Sequence, residues 1–257
     1  MSLIKIVSWN INGIRAIHKK GFLDWVRKES PDILCVQEIK AKEVQVPGEI
    51  LHLPDYVSHW NSAERPGYSG VAVFTRLKPL AVKKGIGLKR FDSEGRVLEL
   101  EFKDFTLFNI YFPNGGMSQE RLQFKLDFYE EALRYFLLLR KKGKKLVICG
   151  DYNTAHKPID LKNPIANEGV SGFLAVEREW LDQFISNGFI DTFRVFDQSA
   201  DRYTWWDMRT RARERNAGWR IDYHFISDDL VPCLKNAFIS PQVTGSDHCP
   251  IGLLLKF

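Results

Sequence analysis

Eight short apolar runs punctuate the chain, and two of them leave little freedom of fold. The runs are "LIKIVSW" (3–9), "DILCVQE" (32–38), "GVAVFTR" (70–76), "VLELEF" (97–102), "FTLFNIYF" (105–112), "KLVICGD" (145–151), "RIDYHFIS" (220–227) and "IGLLLKF" (251–257). Their length and their Val, Ile and Phe content predict strands. In 32–36 and 145–149 the apolarity is nearly continuous, so those strands need cover on both faces. Helical spacing is rarer. Residues 118–140 place Leu122, Leu126, Tyr129, Leu133 and Phe136 on one stripe, with Ser118 as cap and Gly143 as stop. Shorter helices are predicted over 176–186, ended by Asn187-Gly188, and over 21–29 before Pro31. No linker, low-complexity tract or tandem repeat interrupts the pattern. The expected architecture is two sheets face to face with helices outside each.

The two most apolar runs share a second feature: each delivers an acid at its C-terminal end, Glu38 and Asp151. "SWNING" and "GDYNTA" likewise put Asn10 and Asn153 just past strands, and "GSDHCPIG" puts Asp247 and His248 before the last one. Asn12, Tyr111, Asn114 and Asp222 complete a set of polar groups at candidate strand ends, where ligand sites of α/β sheets gather. Singly, each has an ordinary explanation: asparagines suit turns, and acids cap helices. Together, several carboxylates repel one another and need a cation or shared protons. Oxygen donors without cysteine partners point to a hard metal, Mg²⁺ or Mn²⁺, rather than zinc.

Composition narrows the class. The four cysteines form no C-x-x-C pair and two of them, Cys35 and Cys149, sit inside apolar runs, as buried reduced thiols would. No apolar run approaches the roughly 18 residues that span a bilayer, and the N-terminus enters a strand pattern directly. A cytoplasmic protein without a membrane partner is expected. A net charge of +5 suits a polyanionic partner.

"SWNINGIRA" (8–16), "QEIK" (37–40), "NIYFPNG" (109–115), "GDYNTAH" (150–156), "WRIDY" (219–223) and "GSDHCPI" (245–251) together resemble the ordered motif set of the exonuclease III family of apurinic/apyrimidinic endonucleases. The resemblance spans nearly the whole chain. It implies one catalytic domain over 1–257, a four-layer α/β sandwich, and Mg²⁺-dependent cleavage of double-stranded DNA 5′ to an abasic site by a monomer. It also implies 3′→5′ exonuclease and 3′-end-repair side activities.

By that resemblance, Glu38 is the principal metal ligand, with Asn10 contributing and Asp247 a metal- or water-network group. Asp151 positions and deprotonates the attacking water, or acts as an acid, and Asn153 holds it. Asp222 orients His248 and keeps it charged, since Asp247 as the adjacent residue points elsewhere. Tyr111 donates to the phosphate, and Asn114 fixes its loop. Trp205, Trp219 and Ile221 wall a pocket for a flipped-out sugar, or else pack in the core. Arg209, Arg211, Arg213, Arg215 and Arg220 form a cluster expected to bind phosphate, with "IRAIHKKG" (14–21) a second basic stretch. The chain departs from some relatives at Asn12, where they carry an acid, and Met117 and Arg209 lie on loops that vary in the family. Two other readings stay open: a phosphoesterase for lipid or inositol phosphates, and a DNA-binding module without catalysis.

Overall fold

The apolar runs pair into two six-stranded mixed sheets. The computed structural model describes residues 2–257 and holds twelve strands: β1 (Leu3–Asn10), β2 (Ile33–Gln37), β3 (Val57–Asn61), β4 (Val71–Thr75), β5 (Ala81–Lys84), β6 (Val97–Glu101), β7 (Thr106–Tyr111), β8 (Leu146–Asp151), β9 (Phe189–Asp191), β10 (Asp222–Ser227), β11 (Leu234–Ile239) and β12 (Ile251–Lys256). One sheet runs β11–β12–β1–β2–β4–β3, the other β5–β6–β7–β8–β10–β9. The eight predicted strands are the central ones. The four additional strands, β3, β5, β9 and β11, are the four sheet edges.

Alternation along the central strands builds three apolar layers. Ile6, Cys35, Val73, Leu100, Leu107, Val147 and Leu253 fill the space between the sheets. The opposite face of the first sheet, with Trp9, Leu34, Val36 and Phe74, packs under Ile14, Phe22 and Val26 of the N-terminal helices. The opposite face of the second, with Phe108, Ile110, Ile148 and Phe225, packs under the helices Gln119–Lys141 and Ala175–Ser186. The order helix, sheet, sheet, helix makes the four-layer α/β sandwich. Burying a Leu, Ile or Phe side chain contributes about 1.5–3 kcal/mol, so this doubly covered core dominates stability. Among the described residues no helix is long and apolar enough to cross a membrane.

The long helix differs from its predicted stripe. Ser118 does cap it, its Oγ accepting from the Arg121 N–H at 3.2 Å. Its buried residues, however, are Lys125, Phe128, Tyr129, Ala132, Leu133 and Phe136, whereas Leu122 and Leu126 are half-buried. A lysine therefore sits where the pattern placed leucines.

Topology brings the polar strand ends together. β1 and β2 are parallel, with Asn10 opposite Gln37, so Asn10 and Glu38 leave the same end of the first sheet. β7 and β8 are parallel, with Tyr111 opposite Asp151, and antiparallel β10 starts with Asp222 beside Asp151. β12 runs antiparallel to β1 and starts opposite Ser8, which sets the preceding Asp247 and His248 at that end too.

Candidate active site

Glu38 follows β2 in a left-handed conformation (φ 53°), and Asn12 and Asn153 adopt the same region (φ 48° and 53°). Asparagine tolerates it; for glutamate it costs of order 1 kcal/mol or more. Backbone bonds impose it: the Ile39 N–H donates to Gly70 O at 3.1 Å and the Lys40 N–H to Ser69 O at 2.9 Å. The turn is thus held by the segment that leads into β4.

At the centre, the Asn10 side-chain amide donates to Glu38 Oε1 and to Asp151 Oδ2, each at 2.9 Å. One amide therefore bridges carboxylates from the two sheets. Asp151 Oδ1 accepts from the Asn153 N–H at 2.7 Å. The Asn153 amide donates to Phe112 O at 2.9 Å and its Oδ1 accepts from Asn114 Nδ2 at 2.9 Å, which links Asn114 to the Asn153 turn. His248 Nδ1 donates to Asp222 Oδ2 at 2.8 Å, which leaves Nε2 facing Asp151 Oδ2 at 3.8 Å. Tyr111 lies under the Arg96 guanidinium, 4.7 Å from ring centre to Cζ.

These contacts sort the protonation states. Burial opposes charge on His248, but the Asp222 and Asp151 carboxylates outweigh it and raise its pKa to about 10. Burial raises the Asp151 carboxyl; His248 pulls it down and Asp222 pushes it up again, to about 7. Burial, reinforced by the charge of Glu38, pushes the Tyr111 phenol well above the usual tyrosine range, so it stays a donor. At neutral pH the cluster holds an imidazolium, a phenol and a carboxyl group able to take or release a proton.

The donor set fits a hard cation. Ligand atoms of Glu38, Asp151 and His248 all lie within 4.8 Å of one another. With His248 charged, the carboxylate oxygens of Glu38 and Asp151 are the available donors, and hard divalent ions take oxygen. Two of the expected metal groups make hydrogen bonds beside the carboxylates. The Asn10 oxygen accepts from the Asn12 N–H at 3.0 Å, so it is the amide nitrogen that faces the carboxylates. Asp247, which lines the same cavity, accepts from Asn12 Nδ2 at 2.9 Å and from Trp205 Nε1 at 3.1 Å.

A cavity of about 320 Å³ joins these groups to an apolar wall of Trp205, Trp219, Ile221, Val170 and Gly172. Trp205 pairs by backbone with Trp219 on one side and with His248 on the other. The two indoles meet edge to face at 6.3 Å. Both are half-buried, so they line the cavity while backing onto Phe173. The wall is therefore built directly on the segment that carries His248.

The arginine cluster divides, and the expectation for two members is corrected. Arg220 is fully buried, donating to Asp160 Oδ1 at 2.8 Å and Asp191 Oδ2 at 2.7 Å; a guanidinium so paired has no face left for phosphate. Arg213 donates to the carbonyls of Pro241 (2.7 Å) and Val243 (2.6 Å) and stacks on Trp206, tying the loop to the segment before Asp247. Arg209, with its side chain 89% exposed, Arg211 and Arg215 remain at the surface. Two charged neighbours went unassigned in the sequence. Lys40 Nζ pairs with Glu38 Oε2 at 2.6 Å, and Arg96 Nη1 donates to Tyr111 O at 2.8 Å. Arg96, next to the apolar run 97–102, was the legible signal of a buried partner.

The family model described as "Endonuclease/Exonuclease/phosphatase family" matches residues 7–248. An exodeoxyribonuclease of Bacillus subtilis is 44% identical over 255 residues, covering 98% of this chain and 100% of its own. The DNA repair nuclease APEX1 of Danio rerio is 45% identical over 255 residues, 98% of this chain and 82% of its own. The solved structure of an AP endonuclease from Archaeoglobus fulgidus superposes with a TM-score of 0.88 at 27% identity, over 99% of this chain and 100% of that one.

Proposed function

The chain belongs to the endonuclease/exonuclease/phosphatase family and is a DNA-repair nuclease; from that premise we propose that it cuts the DNA backbone 5′ to abasic sites, acting as a monomer with Mg²⁺. Mn²⁺ would substitute, and 3′→5′ exonuclease and 3′-end repair would be side reactions of the same site. The observation that carries this reading is the single cavity in which the Glu38–Asp151–His248 cluster meets the Trp205–Trp219–Ile221 wall. A bare sugar fits beside such a wall, and an abasic nucleotide is the cheapest to unstack because it has no base to release.

Hydrolysis of a phosphodiester needs a water relieved of a proton, charge neutralised on the phosphoryl oxygens, and support for the departing 3′-oxygen. Asp151 would accept or return that proton, its orientation fixed by the Asn153 backbone and side chain. His248, oriented by Asp222, offers Nε2 as a charge-assisted donor to a phosphoryl oxygen. Tyr111 offers its hydroxyl to the same group. Glu38 and Asp151 would hold a divalent cation, which would supply charge neutralisation at the phosphoryl oxygens.

The test is cleavage of a duplex with one abasic site, compared with the intact duplex. EDTA should abolish cleavage, and Mg²⁺ or Mn²⁺ should restore it. Equal cleavage of both duplexes, or cleavage that survives EDTA, overturns the proposal.

A further inference from the structure

Behind the Asn153 turn lies an ion pair that the reaction as described does not use. Lys125 and Glu177 have side chains 0% exposed, and their Nζ–Oε1 distance is 2.6 Å. Burying two charges is costly, and an apolar pair of similar volume often serves stability as well. Burial indeed lowers the Lys125 pKa against the pull of Glu177. The pair's other contacts show what it joins. Lys125 Nζ donates to the Asn153 carbonyl at 2.8 Å and to Thr154 Oγ1 at 2.7 Å. Glu177 Oε2 accepts from the N–H groups of Gly172 (2.6 Å) and Leu174 (3.0 Å), and Oε1 from Ser171 Oγ (2.8 Å). Ser171 and Gly172 line the cavity, and the Ala155 N–H donates to Gly172 O at 2.8 Å. A Cβ on Gly172 would stand 3.2 Å from Trp219 Cζ3 and 3.3 Å from Asn153 O, so this wall is wedged between the tryptophan and the catalytic turn.

We propose that Lys125 and Glu177 are positioning residues: a buried clamp that locks the left-handed Asn153 turn, and through it Asp151, to the Ser171–Gly172 wall of the substrate cavity. This deepens the nuclease reading and rests on it. The clamp sets the orientation of the Asp151 carboxylate relative to the wall beside which the sugar sits. Neither residue reaches the cavity, so its loss acts on the rate of the bound complex rather than on the formation of that complex.

The test is the double variant Lys125→Met/Glu177→Gln, which removes both charges, keeps an acceptor for the 171–174 loop and severs the bond to Asn153. On an abasic duplex kcat should fall about 10–100-fold, as small displacements at a reacting centre do, while KM stays within about threefold. The Asn153 side-chain amide resonances of the ion-free protein should shift. If the double variant does not fold, Thr154→Val, which removes the hydroxyl partner of Lys125, is measured the same way and should show a smaller fall confined to kcat. A folded variant with wild-type kcat, unmoved Asn153 resonances, or a loss residing wholly in KM overturns the clamp. A wild-type protein inert on the abasic duplex would instead overturn the abasic-site reading, and the Asn153 resonances would then decide the clamp.

Discussion

Glu38 and Asp151 repel each other across the join of the two sheets, and one asparagine amide, Asn10, holds them together. Replacing either acid by its amide removes charge that the proposed reaction uses while keeping the side-chain shape. Glu38→Gln and Asp151→Asn should each lower kcat by more than about 10²-fold, the scale of losing one preorganised electrostatic group, with little change in melting temperature. Near-wild-type turnover would remove that residue from the chemistry. His248 gives a separate readout. Its pKa stands at about 10, with burial opposed by Asp222 first and Asp151 second. Because this folded value lies above the unfolded one, the stability it brings is full below about pH 6.5 and fades as pH rises towards about 10. An NMR titration should find the His248 pKa lowered more by Asp222→Asn than by Asp247→Asn, since Asp222 touches Nδ1 and Asp247 points to Asn12 and Trp205. The reverse ranking would show that Asp247 governs the charge.

The elements that carry the wall are anchored by Asp160. Its Oδ1 accepts from Arg220 Nε at 2.8 Å and Arg194 Nη2 at 2.6 Å, and its Oδ2 from the Lys157 N–H at 3.0 Å. Burial opposes the charge, yet the arginines prevail and hold the pKa at about 2. A folded value below the unfolded one gives stability that is present above about pH 4 and lost as pH falls towards 2. Asp160→Asn should therefore cost about 2–3 kcal/mol at neutral pH and progressively less in acid; denaturant melts across that range would show a constant difference if the linkage were wrong. Element by element, legibility follows burial. The eight central strands announce themselves because both faces are covered. The edges do not: β5 is "AVKK", exposed at each position, and β9 has three residues, because an edge with one neighbour needs little apolar content and is protected by charge. The polar strand ends were legible as a set, through motifs. Lys125 was not, since nothing in a 3.6-residue period distinguishes a lysine facing solvent from one facing a glutamate 52 positions away. Arg213 and Arg220 looked like their exposed neighbours for the same reason: charge is visible in a sequence, its partner is not.

At the scale of the whole molecule, a net charge of +5 favours DNA only where the charge is free to meet phosphate. Among the arginines of 209–220, the exposed ones are Arg209, Arg211 and Arg215. Replacing these three with alanine should reduce the slope of log K against log salt by up to about 0.9 per lost contact, with melting unchanged. Arg213→Ala should do the opposite, lowering the melting temperature through the freed carbonyls of Pro241 and Val243. A slope unmoved by the triple variant would assign this loop to solvent. The central claim joins both ends of the cavity: phosphodiester chemistry at Glu38, Asp151 and His248, and sugar selection at Trp205, Trp219 and Ile221. It is tested most directly by single-turnover cleavage of an end-labelled duplex with one defined abasic site, comparing the wild type with Trp219→Ala and mapping the cut. The account predicts one Mg²⁺-dependent cut immediately 5′ to the lesion by the wild type, and a variant that still cuts with Mg²⁺ but also incises base-bearing nucleotides. A cut elsewhere, or a Trp219→Ala protein that melts far lower and keeps its lesion preference, would contradict it.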